Sequence, residues 1–229
     1  MQLAPSTLAQ WVGAVATSAA VIVALFKEEI LRRLRRPSLV VRIQPTAPDC
    51  VKTPISVTAP GNLHWSGEAY FLRLWVENRG DQRAEKVQVF LSGVLKRRAS
   101  GSFEPVKGFL PMNLRWSHTD FVKPEIYADG ISPWMGKHCD LACISDPANP
   151  TSQHLPDVVE GQVILDLWVE VFPATQTHRL PPGEYQLEIR TAGSNCMPVA
   201  HRIALNLTGQ WFADEGKMFS EGLGINLLD

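Results

Sequence analysis

Charge is missing from the start of the chain: no Asp, Glu, Lys or Arg precedes Lys27. A segment so bare of charge is ill suited to a solvated arm and calls for an apolar surround. Cysteine is scarce, with four residues in 229, which excludes a disulfide-dense secreted scaffold and agrees with a reducing compartment. Surplus positive charge is missing too. The formal net charge is −1, no nucleic-acid-binding signature accompanies it, and DNA and RNA are not expected partners. The chain also lacks a nucleophile elbow, a phosphate-cradling glycine loop, a paired-histidine metal motif and a dinucleotide fingerprint. No catalytic residue and no cofactor is nominated on that basis. Acids such as Asp146, Asp157 and Glu160 fall in loop-like sequence without a recognisable partner, although an active site assembled from distant residues leaves no local trace.

The uncharged start is strongly apolar. Leu8 to Phe26 (LAQWVGAVATSAAVIVALF) is a run of 19 residues, about 28 Å long as a helix against about 30 Å for the hydrocarbon core of a bilayer. Trp11 suits an interfacial ring at one end, and Pro5 with Ser6 makes a helix start. Ile30, Leu31 and Leu34 extend the helical stripe until Pro37 stops it. Residues 1–36 are therefore predicted as a transmembrane helix with a basic juxtamembrane extension. A cleavable signal peptide would carry its positive charges before the apolar core, and here they follow it.

Lys27, Arg32, Arg33, Arg35 and Arg36 outnumber Glu28 and Glu29 by three, and removing that excess from −1 leaves −4 for residues 37–229. By the positive-inside rule the basic cluster stays on the cytoplasmic side, against anionic head groups. The expected placement is the inner membrane, single-pass, N-terminus out, with the rest of the chain in the cytoplasm. Gly13, Ala16, Thr17, Ala20 and Ala24, together with Ala9, form a ridge of small residues spaced mostly by three or four. Such ridges let membrane helices approach closely, so self-association or pairing with another membrane protein is one expectation. Chance spacing of alanines in an apolar helix is the other.

After Pro37 the period changes from helical to alternating. SLVVRIQ (38–44) reads as a strand, and residues 45–67, with Pro45, Pro48, Pro54 and Pro60, as a long irregular connection. EAYFLRLWVEN (68–78) is the clearest strand. Its Tyr70, Leu72, Leu74 and Val76 face one way, and Phe71, Arg73, Trp75 and Glu77 the other. AEKVQVFLSGV (84–94) follows an NRGD turn with Val87, Val89 and Leu91 on a common face, which predicts a hairpin. HCDLACIS (138–145), QVILDLWVEVF (162–172), EYQLEIRT (184–191) and HRIALNLT (201–208) read as further strands. Residues 95–137 hold no sustained period. The tail from Trp211 to Asp229 is either a short helix or a closing strand.

Strand after strand without an intervening helix argues for an all-β antiparallel sandwich over residues 37–229. The segment YFLRLWVENRGDQRAEKVQVFLSG (70–93) is similar to the hairpin of bacterial immunoglobulin-like domains of the cell-adhesion-related type, with Asn78, Gly80, Ala84 and Val87 at positions of that pattern. The resemblance covers these residues alone. It implies an immunoglobulin-like fold and suggests a binding role, and it carries over no active site. Within the chain, Leu72–Glu77 (LRLWVE) recurs as Leu165–Glu170 (LDLWVE), which admits a duplicated half or a split near 120–137 as well as a single sandwich.

Two groups of residues stand out chemically. Cys139 and Cys143, beside His138, together with Cys196 and His201 have the residue types of a tetrahedral zinc site, at loosely fitting spacing. The competing expectation places Cys139, Leu141 and Cys143 on one strand face as small core residues. Trp75 and Trp168 each sit between charged neighbours. If their strands adjoin, Arg73 meets Asp166 beside two indoles, and an exposed face of that kind is an interface; a covered one is core. Three functional readings follow. The first is a membrane-anchored protein-interaction or scaffolding module whose partners are the bilayer and a protein or a second copy of the chain. The second is a membrane effector of a bacterial defence or stress system that acts by helix clustering. The third is an enzyme with a non-local site.

Overall fold

The computed structural model describes residues 5–34, 36–59, 63–120, 123–149, 158–159 and 161–228, with side chains in the N-terminal helix described for 11–28. Arg35, Asp157 and Glu160 lie outside the described residues, as do the side chains of Ala9, Arg32 and Arg33. The chain divides into two compact units, residues 1–36 and 37–229.

The first unit is a single helix, α1 (Pro5–Leu34). Its stretch Trp11–Glu28 has a mean hydropathy of 1.5 and none of it is buried. The helix is long and apolar enough to cross a bilayer. Thr17 Oγ1 donates to Gly13 O at 2.9 Å, so its hydroxyl is satisfied within the helix even in an apolar surround.

The second unit is built from strands. In chain order these begin with β1 (Leu39–Arg42), β2 (Cys50–Ala59), β3 (Leu63–Asn78), β4 (Ala84–Arg97) and β5 (Phe103–Pro105). β6 (Met112–Asn113), β7 (Arg115–Trp116), β8 (Ala128–Ile131), β9 (Gly136–Ser145) and β10 (Leu165–Leu167) follow. The last are β11 (Arg179–Leu180), β12 (Gly183–Gly193), β13 (Cys196–Leu207) and β14 (Leu223–Leu228). The tail thus holds both of its expected elements: α2 (Glu215–Lys217) and a π turn (Met218–Gly222) lead into β14 as the closing strand.

The strands form two antiparallel sheets in a sandwich-like arrangement. Sheet I runs β1-β3-β9-β10-β11, with β2 also on β3 and β7 also on β9. Sheet II runs β14-β13-β12-β4-β5, with β6 and β8 also on β4. Tyr70, Leu72, Leu74 and Val76 of β3 are fully buried, as are Val87, Val89 and Leu91 of β4. They share one core with Leu187 and Ile189 of β12 and Ile203 and Leu205 of β13. Alternation along the strands, with one apolar face each, is what drives this packing.

Several expectations are corrected. β3 and β4 do not pair with each other: they belong to different sheets, so residues 79–83 arch across the core where a hairpin is expected. Alternation is identical in both cases, because each strand turns one face inward whichever partner it pairs with. Fully buried Asn78 holds the arch. Its Oδ1 accepts from Ser38 N at 3.1 Å and Gly80 N at 3.0 Å, while Nδ2 donates to Gln82 O at 2.6 Å and Ile131 O at 2.9 Å. Residues 45–67 are not irregular throughout, since β2 pairs with the first part of β3 from Cys50↔Leu72 to Ala59↔Leu63. β2 is an edge strand, where Pro54 is tolerated. The strand expected over 162–172 stops at Leu167, and beyond it the chain crosses to residues 113–115. Leu114 and Val169 form an isolated bridge, Arg115 N donates to Trp168 O at 3.2 Å and Glu170 N to Asn113 O at 2.8 Å, while Arg115 Nε donates to Val169 O at 2.7 Å and Nη2 to Glu170 O at 3.1 Å.

Candidate functional site

Sheet I turns Phe71, Arg73 and Trp75 outward because the alternate residues of β3 fill the core. Cross-strand register extends this column into three rows. Arg42, Trp75 and His138 form the first. Arg73, Asp140 and Arg115 form the second. Phe71, Cys143, Asp166 and Arg179 form the third. A bulge in β9 makes this possible. Leu72 pairs with Ala142 and Arg73 with Asp140, so Leu141 is an extra residue that shifts the alternation of β9 between its two halves.

In the first row the Arg42 guanidinium lies 5.5 Å from the Trp75 ring centroid, and the His138 ring meets that indole at 4.8 Å and 61°. Beneath them Asp49 is fully buried. It accepts from Arg42 Nη1 at 3.3 Å and Gln44 N at 3.1 Å, and its other oxygen lies 3.1 Å from His138 Nε2. A Cβ at Gly136 would stand 2.3 Å from the Trp75 indole, so only glycine there allows the ring its position.

In the second row Arg73 Nε donates to Asp140 Oδ1 at 3.2 Å, and Ser117 Oγ donates to the same oxygen at 2.5 Å. The Arg115 guanidinium lies 4.5 Å from the Phe172 centroid and 5.7 Å from that of Trp168. Burial lowers its pKa, with Asp140 and Glu170 opposing. In the third row Arg179 Nε donates to Asp166 Oδ1 at 2.9 Å. Burial raises the Asp166 pKa against the pull of Arg179. Burial likewise pushes the Cys143 thiol up to about 12. Trp168 packs on Phe71 at 5.6 Å, and Phe172 stacks on His178 at 4.9 Å. Burial first, then Arg179 and Arg115, drives the His178 imidazole down to about 4.

Trp75 and Trp168 are both half-buried, neither core nor free. Their strands are not neighbours, because β9 lies between β3 and β10. Arg73 therefore meets Asp140, and Asp166 meets Arg179, where a direct Arg73–Asp166 contact is expected. The four zinc candidates are not brought together. The bulge at Leu141 turns Cys139 inward opposite Leu74 and Cys143 outward opposite Phe71, which also corrects the expectation that both share one face. Cys196 and His201 sit on β13 in the other sheet. Among the described residues no group of three His, Cys, Asp or Glu is placed to hold a metal ion. On the helix unit, Lys27 and Arg36 are exposed.

Asp49, His138, Asp140, Arg115 and Arg179 are site residues that sequence reading does not nominate for this face. A cleft of about 410 Å³ opens beside the first row between Trp75, Ser117, His118, Glu125, Lys137 and His138. It holds acid–base residue types, yet the His138 ring is held by Asp49 and the Ser117 hydroxyl by Asp140, and Ser117 meets His138 through the backbone, its N donating to His138 O at 3.0 Å. A smaller one of about 180 Å³ lies against Arg115, Asp140 and Trp168.

No protein-family model matches the chain, and no curated protein or solved structure matches it either.

Proposed function

We propose that the protein is a membrane-anchored interaction module, in which α1 crosses the inner membrane of a bacterial cell and the β unit docks a protein partner in the cytoplasm. On this reading the β unit is an immunoglobulin-like sandwich and the outer face of sheet I is its docking surface. One observation carries the proposal: Trp75 and Trp168 are partly exposed within a lattice of arginines. That lattice runs on through Phe172 to Val171, 42% and 60% exposed. Tryptophan and arginine are the residue types that dominate binding energy at protein interfaces. Their ion pairs and ring contacts hold these side chains in place before any partner arrives, which lowers the ordering cost of association. The uncharged length of α1 and the arginines after it support the anchor and its orientation.

The test uses the full chain in native membranes, with crosslinking and co-purification of whatever it holds. The pair Trp75→Ala and Trp168→Ala is expected to lower partner recovery about tenfold or more, while Gly13→Leu leaves recovery unchanged. A second reading has a specific observation in its favour. Gly13, Ala16, Thr17, Ala20 and Ala24 lie on one continuous helix at spacings of three and four, as close approach between clustering membrane helices requires. Loss of overexpression toxicity in Gly13→Leu, with no effect of the tryptophan pair, decides for that membrane effector.

A further inference from the structure

Strands at the edge of a sheet carry unpaired backbone N–H and C=O groups, and folds blunt such edges with charge, proline or brevity where no further strand is to be added. Most edges here are blunted. β2 carries Lys52 and Pro54, and β1 has four residues and carries Arg42. β5 has three residues and ends on Pro105, and β11 has two, followed by Pro181 and Pro182. β14 is the exception. Its six residues, LGINLL, hold no charge and no proline. Its register with β13 runs from Leu207↔Leu223 to Arg202↔Leu228 without a bulge. It ends sheet II, and among the described residues no strand pairs with its other side.

The ladder with β13 determines which backbone groups of β14 face outward. Thr208 N donates to Gly222 O at 3.0 Å, and opposed residues in an antiparallel ladder alternate between bonded and non-bonded pairs. Gly224, Asn226 and Leu228 therefore bond to β13, while Leu223, Ile225 and Leu227 turn their N–H and C=O away from it. The Leu223 N–H is taken by Met218 O. What stays open is the N–H and C=O of Ile225 and Leu227, with the C=O of Leu223. Between them the exposed Gly224 and Asn226 add little bulk and no charge.

We infer that β14 is a homodimerisation edge: the β14 of a second copy pairs with it antiparallel, joining two copies of sheet II across a two-fold axis. Main-chain donors and acceptors at ladder spacing are met by an extended strand. An identical strand run antiparallel suits this one, because a two-fold sets each open N–H of Ile225 and Leu227 against an open C=O of the same set. The lack of charge removes the repulsion that two like strands would otherwise meet. A strand edge buries less than the roughly 1,000 Å² of a stable interface, so the dimer is a weak one controlled by concentration. The inference goes beyond the docking face on sheet I and depends neither on it nor on the membrane.

Hydrogen exchange resolved to single amides provides the test, on the full chain in nonionic detergent with Gly13→Leu included so that α1 does not drive association. In concentrated protein the Ile225 and Leu227 amides should exchange about tenfold or more slowly than after roughly a hundredfold dilution. The Asn226 and Leu228 amides, bonded to β13, should stay protected in both. Gly224→Lys with Asn226→Lys sets like charges against each other across the two-fold and should abolish the concentration dependence. The fold admits the first of these, since a Cβ at Gly224 stands 3.6 Å from its nearest neighbour, Asn206 Cβ. Protection of the β13-facing amides in the lysine variant shows that its strand is intact. Ile225 and Leu227 amides that exchange alike at both concentrations overturn the inference, as does a concentration dependence that the lysines leave in place.

Discussion

The outer faces of the two sheets both carry ion pairs and treat them differently. On sheet II the pairs stand in water: Arg202 and Glu188 approach to 3.3 Å with 62% and 37% of their side chains exposed. Arg97 with Glu184 is similar. On sheet I the Arg73–Asp140 pair is 17% and 12% exposed, and it lies among Phe71, Trp75 and Trp168. An exposed pair is screened and contributes little, whereas a covered one leaves a stranded charge if either partner is lost. Sheet II is thus a solvated face whose members can change independently. Sheet I is a framework whose members depend on one another.

Three measurements would sharpen or break this contrast. The largest effect is expected at the arch that keeps the faces on separate sheets. Asn78→Ala strands four hydrogen-bonding groups and should destabilise the β unit by about 3 kcal/mol or more. Urea unfolding of the full chain, followed by near-ultraviolet circular dichroism, gives the value, and an unchanged midpoint would remove Asn78 from its structural role. Next comes a matched pair. Asp140→Asn should cost about 2 kcal/mol, since Arg73 and Ser117 both lose their carboxylate, while Glu188→Gln should cost under about 0.5 kcal/mol. Equal costs would erase the distinction between the faces.

The effect that is smallest at neutral pH, and grows only on acidification, is one of pH dependence. The His178 imidazole titrates near 4 when folded, against an ordinary 6.5, because burial and the two arginines disfavour its proton. The unfolded chain therefore binds more protons across that window. Stability from this group is full above pH 6.5 and declines as pH falls toward 4. His178→Phe keeps the stack on Phe172 without the proton and should flatten that part of the stability–pH curve.

Much of the fold was legible in the residues. The alternation in 68–78 and 84–94 names the core side chains correctly, because burial imposes a period of two whatever the strand pairs with. The pairing itself was not legible. LRLWVE and LDLWVE read alike, yet the first stays in strand throughout while the second leaves it after Leu167. The second string leaves its partner β9 to bridge residues 113–115, some 50 residues away, where the Arg115 guanidinium also takes two of its carbonyls. Trp75, Arg73, Trp168 and Asp166 were legible as a charged aromatic face, since both strings carry that pattern. Their true partners were not. Asp49 sits in a proline-rich stretch with no local signal, and Asp140 reads as an ordinary strand acid until the register of β9 is known.

Leu141 shows how little sequence can separate the inside of this sheet from its outside. β9 carries two alternations in antiphase, joined by that one surplus residue, and β3 alongside it keeps a single uninterrupted phase. Deleting Leu141 would make Asp140 and Ala142 consecutive, so one alternation would send Ala142 and Ile144 inward and Asp140 and His138 outward, with the loss of one buried leucine side chain. Deleting a residue elsewhere in the strand, with the bulge kept, would instead make one half exchange its wet and dry faces.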